Sequence, residues 1–149
     1  MSHTYCNGLF HCVFSTSERR KTISPEICDD LWAYMGGVAR QHAMKPMAIG
    51  GTTDHAHLLL ALPASLSIAE AMRTIKGASS QWLHEKHRLR LFAWQEGYGA
   101  FSIGASQTAA TIRYIQRQEE HHQRCDFQQE FLAILGKHGI EYDPRYVWG

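Results

Sequence analysis

The apolar positions of this chain follow two alternating periods. "YCNGLFHCVFST" (5–16), rich in aromatic and β-branched residues, predicts a first strand. Ile27, Leu31, Tyr34 and Val38 then recur at helical spacing up to about Gln41, behind a Ser24–Pro25 pair suited to an N-cap and first helical position. "KPMAIGGTT" predicts a short second strand and "HAHLLLAL" a third, and the Gly-Gly-Thr-Thr-Asp between them suits a hairpin turn. Ser67, with Glu70 three residues on, predicts a capping box for a second helix carrying Ile68, Met72, Ile75, Trp82 and Leu83 and ending near His87. "LRLFAWQEGYGAFSIG" reads as strand and glycine loop. Ser106 caps a third helix to about residue 122, and Asp126 a fourth that stops at Gly139.

The order β-α-β-β-α-β followed by helices predicts an α+β fold. It is a ferredoxin-like antiparallel four-stranded sheet with helices on one face and additional C-terminal helices. No repeat, low-complexity tract or linker interrupts it, so residues 1–149 read as one domain. With 44% hydrophobic and 19% charged residues, the chain is globular and large enough for its own core. No apolar run approaches the roughly 20 residues that cross a bilayer, and the N-terminus lacks the basic-then-apolar order of a signal peptide. Cys6, Cys12, Cys28 and Cys125 are scattered without a C-x-x-C pair and read as free thiols, so a cytoplasmic protein is expected. A net charge of +1 announces no global nucleic-acid surface, so any such surface must be local.

On a strand, His55 and His57 share one face with Leu59, and their Cα atoms lie roughly 6.6 Å apart. Two imidazoles at that spacing converge on one metal, or stand as polar residues on the open face of a sheet. A metal needs a third ligand. In "TIRYIQRQEEHH", Tyr114 and Gln118 lie four apart on one helix face. Gln118 offers a carbonyl oxygen to a hard cation and Tyr114 a phenol beside it; equally, Tyr114 packs against the sheet as any helix aromatic does. Arg73, Lys76 and Ser80 form one stripe of the second helix, a phosphate contact or a solvated face. "KHRLRLFAWQ" interleaves Lys86, Arg88 and Arg90 with Phe92 and Trp94, as base stacking with phosphate neutralisation requires, or as a buried strand with a basic lead-in provides.

Taken in order, "VFSTSERR", "DHAHLLLALP", "IKGASSQWL", "WQEGYGAFSIGASQ", "IRYIQRQEEHH" and "HGIEYDPRYVWG" resemble one family, the single-tyrosine, His-hydrophobic-His transposases of small insertion sequences. Their relatives associated with repetitive extragenic palindromes belong to the same superfamily. The resemblance covers nearly the whole chain from about Tyr5. It implies that His55, His57 and Gln118 bind Mg²⁺ or Mn²⁺, and that Tyr114 attacks a DNA phosphate to leave a 5′-phosphotyrosine and a free 3′-hydroxyl. It further implies single-stranded DNA with imperfect hairpins as substrate, and a homodimer. Ala56 is smaller than the aliphatic residue common between such histidines, and Gly104 stands where relatives often carry Ser. Two other readings use the same residues. One is a non-catalytic single-strand binder on the sheet plan of RNA-recognition modules, whose R/K-G-F/Y-G-F-V-x-F run this chain lacks. The other is a hydrolytic phosphodiesterase using His55, His57 and one of His121 or His122.

Overall fold

The computed structural model describes residues 3–149. Strand β1 (Gly8–Ser15) leads through a 3₁₀ turn into helix α1 (Pro25–Gln41), followed by β2 (Lys45–Gly51), β3 (His55–Leu62), α2 (Ile68–Lys86) and β4 (Gly99–Ser102). Helices α3 (Thr108–Gln116), α4 (Gln118–His121) and α5 (Phe127–Lys137) complete the chain. The sheet order is β2-β3-β1-β4 with every neighbouring pair antiparallel, as a ferredoxin-like βαββαβ unit requires. Among the described residues no helix is long and apolar enough to cross a membrane.

Helices cover both faces of the sheet, where the sequence pattern predicted one. Phe14, Ala56, Leu58 and Leu60 point toward α1 and α2 and form the main core with Leu31, Met35, Met72 and Ile75. The opposite face carries His11, Val13, His55, His57 and Leu59, all buried, and is covered by the C-terminal helices through Phe127, Phe131 and Leu135. The cause is visible in β3, where "HLLLAL" is apolar on successive residues rather than alternate ones. Such a strand loses apolar surface to water on both sides unless both faces are covered.

Several local expectations change. β1 starts at Gly8, leaving Tyr5 92% exposed. Ser24 precedes α1 without a side-chain cap bond, whereas Ser67 accepts from the Glu70 amide at 3.1 Å and Asp126 forms a full capping box with Gln129. The expected third helix begins not at Ser106 but after a 3₁₀ turn, Ala105–Gln107, and breaks at Arg117, whose φ/ψ of −105/22 leaves the helical region. In the stretch before β4, only an isolated Thr16–Trp94 bridge joins the sheet. Phe92 and Trp94 are core residues packed edge-on, Trp94 against Phe14 at 4.8 Å between centroids, so neither ring offers a face to a base.

Two glycines fix how the C-terminal layer meets the sheet. Gly51, at φ 150°, makes the turn into the histidine strand, and a Cβ there would meet the His55 carbonyl at 2.2 Å. Gly50 lets α3 lie directly on β2, because a Cβ there would sit 2.8 Å from the Ile115 carbonyl. Gly50→Ala must therefore move backbone, and we expect it to destabilise the fold by about 1–3 kcal/mol. Gly37, inside α1, has open space where a methyl group would stand, with no neighbouring atom within 4 Å. Gly37→Ala should stabilise by about 0.5–1 kcal/mol through helix propensity. Urea melts of both variants check the pair, and equal effects of one sign would contradict this packing.

A candidate metal and tyrosine site

β3 carries His55 and His57 onto the C-terminal face, and three short helices close over them. His55 is held from below: its Nδ1 lies 2.7 Å from Asp54 Oδ1 and 3.0 Å from Thr52 Oγ1 in the hairpin turn. An Nδ1–H donated to that carboxylate leaves the Nε2 lone pair facing outward. What Nε2 faces is another acceptor, the Gln118 Oε1 at 2.9 Å. Gln118 keeps that orientation because its amide Nε2 donates to Glu130 Oε2 at 3.0 Å. A lone pair aimed at a carbonyl oxygen at this distance repels unless a positive charge lies between them. A metal ion between them would remove that repulsion, and His55, His57, His122 and Glu130 each offer a ligand atom within 4.8 Å of the others.

Glu130, on α5, was not picked out in the sequence. It is 3% exposed, and its Oε1 lies 2.9 Å from His57 Nε2, 3.0 Å from His122 Nε2 and 3.5 Å from His55 Nε2. Its Oε2 accepts the hydroxyl hydrogen of Tyr114. The Tyr114 and His57 ring centroids lie 5.6 Å apart. His57 turns its other nitrogen to His11 on β1, Nδ1 to Nε2 at 2.8 Å, a buried imidazole that sequence reading also passed over. Its only signal was a polar residue in the middle of an otherwise apolar strand.

Burial sets the electrostatics. It drives His11 down to about 3, reinforced by His57, and His57 down to about 4 against the opposing pull of Glu130. Burial and the neighbouring Glu130 carboxylate both push the Tyr114 phenol up. Burial alone would raise Glu130, but hydrogen bonds from His122 and His57 outweigh it and hold the carboxyl well below its ordinary range.

Tyr114, Gln118, His55 and His57, expected from sequence to act together, do meet here. The basic residues expected to contact DNA do not join them: Arg73, Lys76 and Ser80 lie on α2, and Arg88 and Arg90 in the loop after it, in the layer across the sheet. Arg73, Arg88 and Arg90 are exposed. Lys76 is not free for a phosphate. Its ammonium donates to the carbonyls of Gln95, Glu96 and Gly97 at 2.7, 3.0 and 2.9 Å, which uses all three hydrogens, and burial lowers it to about 8. Nearer the tyrosine, Arg113, Arg117 and Arg124 line a surface groove with Tyr114 and His121.

A ferredoxin-like sheet thus presents two histidines to a helix-borne tyrosine and a glutamine, in a cluster that could hold a metal ion. Residues 4–118 match the family described as "Transposase IS200 like", and the chain belongs to that family. It is 29% identical over 127 residues to the transposase for insertion sequence element IS200 of Salmonella typhimurium, covering 80% of this chain and 82% of that one. It is 21% identical over 117 residues to the ISDra2 transposase TnpA of Deinococcus radiodurans, covering 74% and 84%. A solved REP-associated tyrosine transposase bound to a REP hairpin shares the fold, with TM-score 0.58 and 18% identity over 82% of this chain and 73% of that one.

The buried histidines give stability a pH dependence of definite sign. An unfolded His57 takes a proton near 6.5, the folded one only near 4, so in that window the unfolded chain binds more protons. The depressed Glu130 carboxyl acts in the same direction further into acid, since its contribution is lost as it protonates. In chelator, stability should fall as pH drops from about 6.5 toward 4, and urea melts near about pH 7.5 and about pH 5 measure it. Equal midpoints would show that the histidines are not held neutral.

Proposed function

We propose that this protein is a metal-dependent single-stranded DNA transposase that nicks and rejoins DNA at hairpin-marked ends through Tyr114. The observation that carries this reading is the meeting of the tyrosine hydroxyl, the histidine pair and the Gln118 carbonyl in one buried cluster. His55, His57 and Gln118 would hold Mg²⁺ or Mn²⁺. When bound, such a cation supplies Lewis-acid polarisation of a phosphate and a template for its orientation.

The chain's own residues do the rest. For His57 to present its Nε2 lone pair, its ring hydrogen must sit on Nδ1, and His11 Nε2 is there at 2.8 Å to accept it. Asp54 performs the same service for His55. Tyr114 is a poor nucleophile while its hydrogen is in place, and Glu130 Oε2 is the atom positioned to take that hydrogen. As the tyrosine O–P bond forms, the bond from phosphorus to the 3′-oxygen breaks and that oxygen takes up a proton. The 5′-phosphotyrosine conserves the ester bond, so a second 3′-hydroxyl can reverse the step without a nucleotide cofactor. Arg113, Arg117 and Arg124 would carry the DNA backbone past the tyrosine, and Arg73, Ser80, Arg88 and Arg90 would offer a second contact surface. We also infer a homodimer that holds two DNA ends.

Protein mixed with 3′-labelled hairpin DNA from the element flanking its gene, with Mn²⁺ or chelator, tests the reading on a denaturing gel. A protease-sensitive labelled adduct that requires metal is expected. Tyr114→Phe should abolish it, lowering cleavage at least about 10³-fold, as loss of a nucleophile does. His57→Ala should stop cleavage and leave hairpin binding nearly unchanged. Cleavage without an adduct in Tyr114→Phe would favour hydrolysis instead.

The arginine groove is tested separately by salt. Arg117→Ala should weaken hairpin binding and lower the slope of log affinity against log salt by about 1, the signature of one lost phosphate contact. An unchanged slope would remove Arg117 from the DNA path.

A further inference from the structure

We propose that Glu130 is a fourth protein ligand of the cation, adding a carboxylate from α5 to the donors of His55, His57 and Gln118. The inference rests on the metal-dependent reading above and extends it to a residue beyond the stretch, 4–118, that matches the family.

Geometry is the first ground. Ligands about 2.1 Å from an octahedral cation lie about 3.0 Å from one another along each edge of the octahedron. The separations here are 2.9 Å from His55 Nε2 to Gln118 Oε1, 2.9 Å from His57 Nε2 to Glu130 Oε1, and 3.5 Å from His55 Nε2 to Glu130 Oε1. His55 Nε2 thus lies near both oxygens and Glu130 Oε1 near both imidazole nitrogens, at or close to the length of an octahedral edge, and the His55, His57 and Glu130 donor atoms all fall within 4.8 Å of one another.

Charge is the second. Glu130 is 3% exposed, and among the described residues its ion-pair partners are His55, His57, His121 and His122, with no arginine or lysine. A buried carboxylate without a fixed positive partner is expensive. A divalent cation supplies that charge and also separates the facing acceptors on His55 and Gln118. The third ground is the division of labour between its oxygens. Oε1 sits among the imidazole nitrogens and Oε2 holds the Tyr114 hydroxyl, so one carboxylate would fix the distance between cation and nucleophile.

Mn²⁺ binding by the full chain, read by electron paramagnetic resonance of the free ion and by calorimetry without DNA, tests this independently of activity. Glu130→Gln keeps side-chain size and a carbonyl that can accept a hydrogen bond from the tyrosine hydroxyl, but removes the charge. Its Mn²⁺ affinity should fall at least about tenfold, the lower bound for loss of a group that supports a metal site. Unchanged affinity in Glu130→Gln, with loss in His57→Ala, overturns the proposal and leaves the metal-dependent reading intact. Unchanged affinity in both variants overturns that reading as well. Wild-type crystals soaked in Mn²⁺ give an arm that needs no variant. An anomalous peak about 2.1 Å from Glu130 Oε1 supports ligation, and a peak on the histidines beyond hydrogen-bond distance from that oxygen refutes it.

Discussion

A buried carboxylate with only imidazoles, a phenol and an amide around it is the constraint on which this site depends. Glu130 pulls together β3, α3, α4 and α5, since its partners His57, Tyr114, His122 and Gln118 come from the other three elements. None of those partners carries a fixed charge. The C-terminal helices are thus organised by a group whose own burial must be offset by hydrogen bonds or by positive charge. That makes the site tight and electrostatically incomplete at once, the condition in which a small ion or the charge of an arriving substrate changes the balance most.

The sheet supplies what the carboxylate cannot, which is rigidity. His57 is paired on one side to Val13 of β1 and on the other to Gly50 of β2, while His55 is paired to Ser15 of β1 and its carbonyl accepts from the Thr52 amide at 3.1 Å, so both Cα positions are fixed on two sides. The apolar layer beneath, from Phe14 to Ile75, holds that strand in place. The tyrosine needs an equally firm seat, and Gly50 gives it one by letting the backbone of α3 touch β2. The helix then breaks at Arg117, immediately before Gln118. A continuous helix would keep Tyr114 and Gln118 in fixed register. The break lets Gln118 turn its carbonyl to His55 while Tyr114 reaches Glu130.

Much of this was legible in the sequence, for physical reasons that differ between elements. α1 and α2 were readable because one face of each is buried, which imposes helical periodicity, and β3 because its composition is apolar and bounded by turn residues. His55 and His57 were readable because H-x-H puts two donors on one face of a strand, and Tyr114 and Gln118 because a spacing of four keeps them close even though the helix breaks at Arg117 between them. Glu130 was not, because nothing local distinguishes it from Gln128 or Gln129. Its role comes from the angle at which α5 crosses the sheet, which no spacing along the chain encodes. His11 was hidden for a similar reason: its partner His57 is 46 residues away. The coverage of both sheet faces was written in the unbroken apolar run of β3, but such a run also fits a strand with one weakly exposed side. Lys76 misled in the opposite way, since a stripe of polar residues on a helix looks the same whether it meets solvent, a phosphate or backbone carbonyls.

Low net charge and a polyanionic substrate are compatible only if the positive charge is concentrated. Over the whole chain, 15 basic residues offset 14 acidic ones, so there is no long-range field to collect DNA. Three arginines beside Tyr114 give a short track in which each guanidinium can pair with one phosphate. At physiological salt the Debye length is about 8 Å, so such a track acts only on a strand already in contact. Affinity from such a track would be local. On the proposed reading, selectivity would come from the shape of the DNA, and the buried charge would serve the single phosphate that reaches the tyrosine.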